Sequence, residues 1–200
     1  MRKILAGLAL AVCSILPSCT SAFISPEKYR ALEEEASKRS YIAGFEGLGA
    51  DGSVRELIDY VRANCDIAGC ATAGNPSAHI GLAETACRNG NRVYAYGHSS
   101  GGNEARLFAV MCNERGIPVS ILSVSDPTYI SRPFPGKIPE NVGKVVCYRS
   151  DAIAEIFGGA VKREHLKSNA TGLEVIHIGG EHFSLPQNCM NHLAGEISGD

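Results

Sequence analysis

The chain has 200 residues, 44% of them hydrophobic and 20% charged, enough apolar material for one core and too much for a disordered chain. Its formal charge of -2 comes from 19 basic and 21 acidic residues, so there is no basic surplus of the kind that draws a protein to nucleic acid. The 22 glycines show no repeat period and suggest many tight turns, as in a short-looped α/β sheet.

The first residues read as a targeting segment. Arg2 and Lys3 form a positive start, and Ile4 to Leu16 is an apolar run too short to span a bilayer comfortably. Leu16-Pro17-Ser18-Cys19 resembles the bacterial lipobox, in which the cysteine is lipidated and becomes the new N-terminus. This divides the chain into a leader over 1–18, a tether over 19–39 and one domain over 40–200. Thr20 follows the cysteine where an Asp would favour the inner membrane, so the expected location is the outer membrane. The alternatives are a secretory signal cut after Thr20-Ser21-Ala22 and an uncleaved anchor.

Each of these readings puts the domain outside the cytoplasm, where disulfides form. Cys13 leaves with the leader and Cys19 would carry lipid, so Cys65, Cys70, Cys87, Cys112, Cys147 and Cys189 remain, an even set that suggests bridges. Cys65 and Cys70 are close enough in sequence to staple one loop. The other reading is buried thiols, Cys147 within a strand among them. No Cys-x-x-Cys pair and no histidine at finger spacing occurs, so no metal site is expected.

Ser25 to Arg39 is charged and predicts a short exposed helix or tether, with Ser25 as N-cap and Pro26 at the first helical position. Tyr41–Phe45 predicts a strand that runs into the Gly-rich Glu46–Ser53. Val54–Ala63 carries Val54, Leu57, Ile58 and Val61 at helical spacing, with Ser53 as cap. A strand near Asp66–Ala73 precedes a helix from about Ala78 to Arg88, which Asn89-Gly90-Asn91 ends. Arg92–Tyr96 is a strand, Gly97–Gly102 a sharp turn, and Asn103–Arg115 a helix. Val119–Val124 is the continuous apolar run of a buried parallel strand, ending at Ser125-Asp126-Pro127. The proline-rich Thr128–Asn141 is irregular. Lys144–Tyr148 and Leu173–Ile178 are the last strands, and Asn188–Ile197 is the last helix. Strands alternating with helices argue for a mostly parallel sheet of about five to six strands, covered on both faces.

Gly97-His98-Ser99-Ser100-Gly101 matches the nucleophile elbow Gly-x-Ser-x-Gly. A serine on a strand-to-helix hairpin sits in a strained backbone with its hydroxyl raised above the sheet, and side chains two residues to either side would clash. The pattern recurs by chance in Gly- and Ser-rich chains, but here it follows an apolar strand and opens a helix. Ser99 is the expected nucleophile; the bland alternative is a Gly-rich turn that packs a helix closely on the sheet. A serine needs a base and the base an orienting acid, in the order Ser, acid, His. His182 follows the last strand after two glycines and is the expected base. His177 lies in the strand as a packing residue, His79 precedes Ser99, and His98 is too near the elbow. His165 follows no strand, and His192 falls in the last helix. Asp126 and Asp151 each end a strand at the carboxyl edge. Asp126 is favoured, with Asp151 the alternative. The oxyanion would be held by the amide of Ser100 and that of Leu48 or Gly49.

GFEGLG, YAYGHSSGG, SVSDPTYI, VVCYRSD and GGEHFSLP, in this order and spacing, resemble the α/β-hydrolase superfamily. The elbow is similar to that of bacterial lipase- and esterase-like members. The resemblance covers about Ser40 to Gln187 and implies a Ser-Asp-His triad with no metal or organic cofactor. The chain is short for the family. There is little room for two leading antiparallel strands and no long insertion after Val119–Val124, which implies a cutinase-like minimal core with an open site. The expected activity is hydrolysis of carboxylic esters, with an ester or lipid substrate and a membrane reached through Cys19. The alternatives are an amidase or peptidase with the same triad, and a non-catalytic envelope lipoprotein that keeps the scaffold for binding.

Overall fold

The computed structural model describes residues 23–47, 52–127, 137–150, 172–179, 181 and 184–199. The leader, the lipobox cysteine Cys19, Leu48, Gly49, Asp151, His165 and His182 lie outside these residues.

Helix α1 (Pro26–Ala36) opens the described chain, with Ser25 accepting from the Lys28 amide and Pro26 in the first turn, as the sequence predicts. It is not a free-standing tether. Leu32 and Ala36 are buried in the core, because this helix has just enough apolar surface to lie against its neighbours. Strand β1 (Ser40–Glu46) follows, then α2 (Ser53–Asn64) and β2 (Ile67–Ala73). A single 3-10 turn, Pro76–His79, precedes α3 (Ile80–Arg88). Next come β3 (Val93–His98), α4 (Gly101–Glu114), β4 (Val119–Ser125), β5 (Val142–Arg149), β6 (Leu173–His177) and α5 (Leu185–Ser198).

The six strands form one sheet in the order β2-β1-β3-β4-β5-β6, with every pair parallel. Successive side chains point to opposite faces, and both faces are covered. Tyr41, Ala43 and Phe45 face a core shared with Leu32 of α1, Leu82 of α3 and Phe108 of α4. Ile42, Tyr94, Tyr96 and Tyr148 face the other, shared with Leu57 and Ile58 of α2 and Leu193 of α5. Burying both faces of a strand explains why Val119–Val124 reads as a continuous apolar run.

Two local expectations are corrected. The N-cap of α2 is Gly52, at φ 87°, and not Ser53. The orphan amide of Arg55 is instead met by the buried carboxylate of Glu46, at 3.1 Å, which suits the positive end of a helix. His177, expected to pack, is exposed on the edge strand β6.

The six described cysteines form no disulfide with one another. Cys65 and Cys70 do not meet, because they lean to opposite faces of the sheet. Cys65 lies against the Ala194 carbonyl of α5, while Cys70 is in the core beneath α1 and α3, with its sulfur beside the Tyr41 hydroxyl. No helix among the described residues is long and apolar enough to cross a membrane.

Candidate active site

The carboxyl edge of the sheet brings together the ends of β1, β3 and β4. Ser99 stands at the tip of β3 with φ 55°, a left-handed conformation that a residue with a Cβ adopts only under constraint. The constraint is visible. Its amide donates to the Ser125 carbonyl of β4 at 2.9 Å, and its carbonyl accepts from the Gly102 amide at 3.0 Å. The side chain is 8% exposed.

The glycines of the elbow are required by close approach. A Cβ on Gly97 would lie 2.8 Å from the Gly102 Cα, and one on Gly101 would overlap the Phe45 carbonyl. Gly47, just past β1, is equally confined. A Cβ there would be 2.8 Å from the Ser99 Cβ and 3.3 Å from its Oγ. The start of the loop that carries Leu48 and Gly49 is thus beside the serine. Ser100 is the N-cap of α4, so the positive end of that helix opens at the elbow.

Asp126 ends β4, one strand from Ser99, and its side chain is fully buried. It too has a positive φ, 40°. Its amide donates to the Tyr148 carbonyl at 2.9 Å. Ser150, at the end of β5, holds the carboxylate twice, through its amide at 3.0 Å and through its hydroxyl. Each carboxylate oxygen has more than one lone pair, so two donors from one side leave acceptor capacity for an imidazole N–H. Ser150 was not singled out from the sequence. The only trace it leaves there is a small polar residue after an apolar strand. Glu46, the cap of α2 beside Gly47, was read merely as the start of a loop.

Two of the described histidines have other work. His79 is fully buried, its Nδ1 2.6 Å from the Tyr41 hydroxyl and its Nε2 2.9 Å from the Thr72 hydroxyl. Burial, aided by Lys28, pushes its pKa down to about 3. Its ring packs on Phe45 and Phe108, under the end of β1. His192, on α5, pairs with the Tyr148 hydroxyl of β5 at 2.9 Å.

Glu174, His192 and Glu196 offer ligand atoms within 4.8 Å of one another. A cation already serves this cluster. The Lys144 ammonium lies 2.8 Å from Glu174 and 2.7 Å from Glu196, and those bonds raise its pKa.

No protein-family model matches the sequence, and no curated protein matches it. Solved structures do. An esterase of Pyrobaculum calidifontis superposes with a TM-score of 0.58 at 11% identity, over 80% of this chain and 76% of that one. The fold is that of the α/β-hydrolases. The RedJ thioesterase of the prodiginine pathway in Streptomyces coelicolor gives a TM-score of 0.51 at 16% identity, over 78% of this chain and 90% of that one. The thioesterase domain that cyclises surfactin gives 0.56 at 12% identity, over 82% and 91%. In this α/β-hydrolase sheet the elbow leaves the third strand of the chain, and Asp126 leaves its neighbour.

Proposed function

We propose that the protein is a serine hydrolase of carboxylic esters. The observation that carries this is Ser99, held at φ 55° on a glycine-flanked elbow whose neighbouring strand ends in the buried, doubly held carboxylate of Asp126. Structural neighbours that are esterases and thioesterases support the same reading. Ser99 Oγ attacks the acyl carbonyl while His182 takes its proton. The oxyanion is held by the amides of Ser100 and of Leu48 or Gly49. His182 then protonates the leaving alcohol, and a water, deprotonated by the same histidine, releases the acid and restores the serine. Asp126 steadies the imidazolium. Between the tip of β3 and the end of β6 lie three strand spacings, about 14 Å. Asp126 stands within that gap, where a histidine reaching from beyond β6 toward Ser99 would pass.

A fluorophosphonate probe should label the wild-type protein at Ser99 and leave Ser99→Ala unlabelled. Acetate-to-palmitate nitrophenyl esters, with thioester and anilide counterparts, then rank the bond cleaved. Absence of labelling together with absence of turnover would leave the scaffold as a binding protein.

The chain is further proposed to be a lipoprotein anchored through Cys19. The support is the Leu16-Pro17-Ser18-Cys19 sequence behind a short apolar run. Such a run holds a cleaved chain poorly, whereas two or more acyl chains anchor it stably. Cys19→Ala should yield a soluble protein or an unprocessed precursor. A wild-type protein that is wholly soluble and begins at Phe23 would refute the anchor.

A further inference from the structure

Helix α1 sets which side of the molecule an N-terminal anchor would hold to a membrane. It runs antiparallel to β1. At its end, the Ala36 carbonyl accepts from Asn91 just before β3, at the amino edge of the sheet. At its start, the Tyr29 hydroxyl lies against Gly81 in the first turn of α3, beside the carboxyl edge. Eleven residues of helix span about 16 Å, roughly two thirds of the about 23 Å of a seven-residue strand. Ser25 therefore starts on the side of the edge that carries Ser99 and Asp126, a few residues' rise short of it. The other terminus is on the opposite edge. Ser198, at the end of α5, lies 3.6 Å from the sulfur of Cys65, which precedes β2.

The chain is short on the membrane side. Ile24 packs against the core, and Phe23, directly before it, is 75% exposed. Four peptide steps separate Phe23 from Cys19, a reach of at most about 14 Å. With α1 docked, the tether is far shorter than the charged stretch over 25–39 suggests. An aromatic ring at the point where a chain enters the headgroup region suits that environment.

We propose that the acyl chains on Cys19 hold the carboxyl edge of the sheet against the lipid surface, so that the substrate is an ester borne by the membrane in which the protein is anchored. This rests on the esterase reading and on the Cys19 anchor, and adds orientation and substrate class to both. The docked α1 makes the hold directional: the Ser99 edge looks at the bilayer, and the edge with the C-terminus looks away from it.

The test uses the full lipoprotein in phosphatidylethanolamine–phosphatidylglycerol vesicles. Two esters are compared, a fluorogenic palmitate dissolved in the bilayer and water-soluble nitrophenyl acetate. A flexible 30-residue Gly-Ser insertion between Ala22 and Phe23 frees the domain to rotate, and Phe23→Asp places a charge at the contact. Both should lower palmitate turnover by about fivefold or more, through lost effective concentration at the site, and leave acetate turnover within about twofold of wild type. Equal palmitate rates in all three forms, with acetate hydrolysed, would overturn the orientation alone. Wild-type protein that does not sediment with the vesicles would overturn the anchor and the orientation with it. Acetate and palmitate both left intact by every form would overturn the esterase reading on which both stand.

Discussion

Ser99 and Asp126 share an unusual backbone state, positive φ on a residue with a side chain, and both sit at strand ends. Such strain persists only where surrounding contacts impose it. Ser99→Ala should lower ester turnover by about three orders of magnitude or more, with the melting temperature preserved. Asp126→Asn should cost on the order of 10³–10⁴-fold in kcat, since an amide cannot hold the histidine tautomer, whereas Asp151→Asn should cost less than about tenfold. The reverse ranking in steady-state kinetics would move the acid to Asp151. The sharp turn at Ser99 and the strand end at Asp126 were legible from residues alone, because an elbow needs glycines at fixed spacing and a strand end needs little context to be seen; His182, Leu48, Gly49 and Asp151 lie outside the described residues. Ser150 was not legible. Its role depends on two strand ends meeting across the sheet, and nothing local in Arg149-Ser150-Asp151 reports that.

The 3-10 turn that precedes α3 carries a buried histidine whose two nitrogens both meet hydroxyls, those of Tyr41 and Thr72. Neutral imidazole has one donor and one acceptor nitrogen, so it satisfies both partners without charge. Burial pushes its pKa from 6.5 down to about 3. As pH falls through that window, the unfolded chain takes up a proton that the folded one refuses. Stability from neutral His79 is therefore complete above pH 6.5 and declines toward acid, by up to about 1.4 kcal/mol per pH unit. His79→Gln should be less stable at pH 7, yet lose less between pH 6.5 and 4.5, by about 1–2 kcal/mol in urea titrations. Parallel curves for the two proteins would assign the acid sensitivity elsewhere. Helix α1 makes a second case at this scale. Its sequence reads as polar and detached, because only a narrow strip is apolar. Leu32 is in that strip and fully packed, so Leu32→Ala should cost about 2–4 kcal/mol, which a detached tether would not.

At the scale of the whole molecule, the alternation of strand and helix announced a parallel sheet, since each strand needed a crossover and both faces needed apolar cover. Cysteine pairing was less readable, because it depends on which face each residue takes. Cys65 ends α2 on one face of the sheet, whereas Cys70, within β2, points into the core on the other. Stability then rests on two cores and not on bridges. A native disulfide contributes about 2–4 kcal/mol, and in a chain of this size each kcal/mol is worth about 2–4 °C of melting temperature. Removing one would therefore lower Tm by roughly 4–16 °C. With six free thiols, Tm should change by less than about 2 °C on adding reductant. The same structure orders their reactivity. Cys70, Cys112, Cys147 and Cys189 are buried, and burial raises the pKa of Cys70 and pushes that of Cys112 up to about 12, which starves both of thiolate. Maleimide on the native protein should modify Cys65 and Cys87 first, and all six only after denaturation. Four modified thiols in the denatured, unreduced protein, with a Tm that drops by 5 °C or more in reductant, would show that one pair closes in the exported chain.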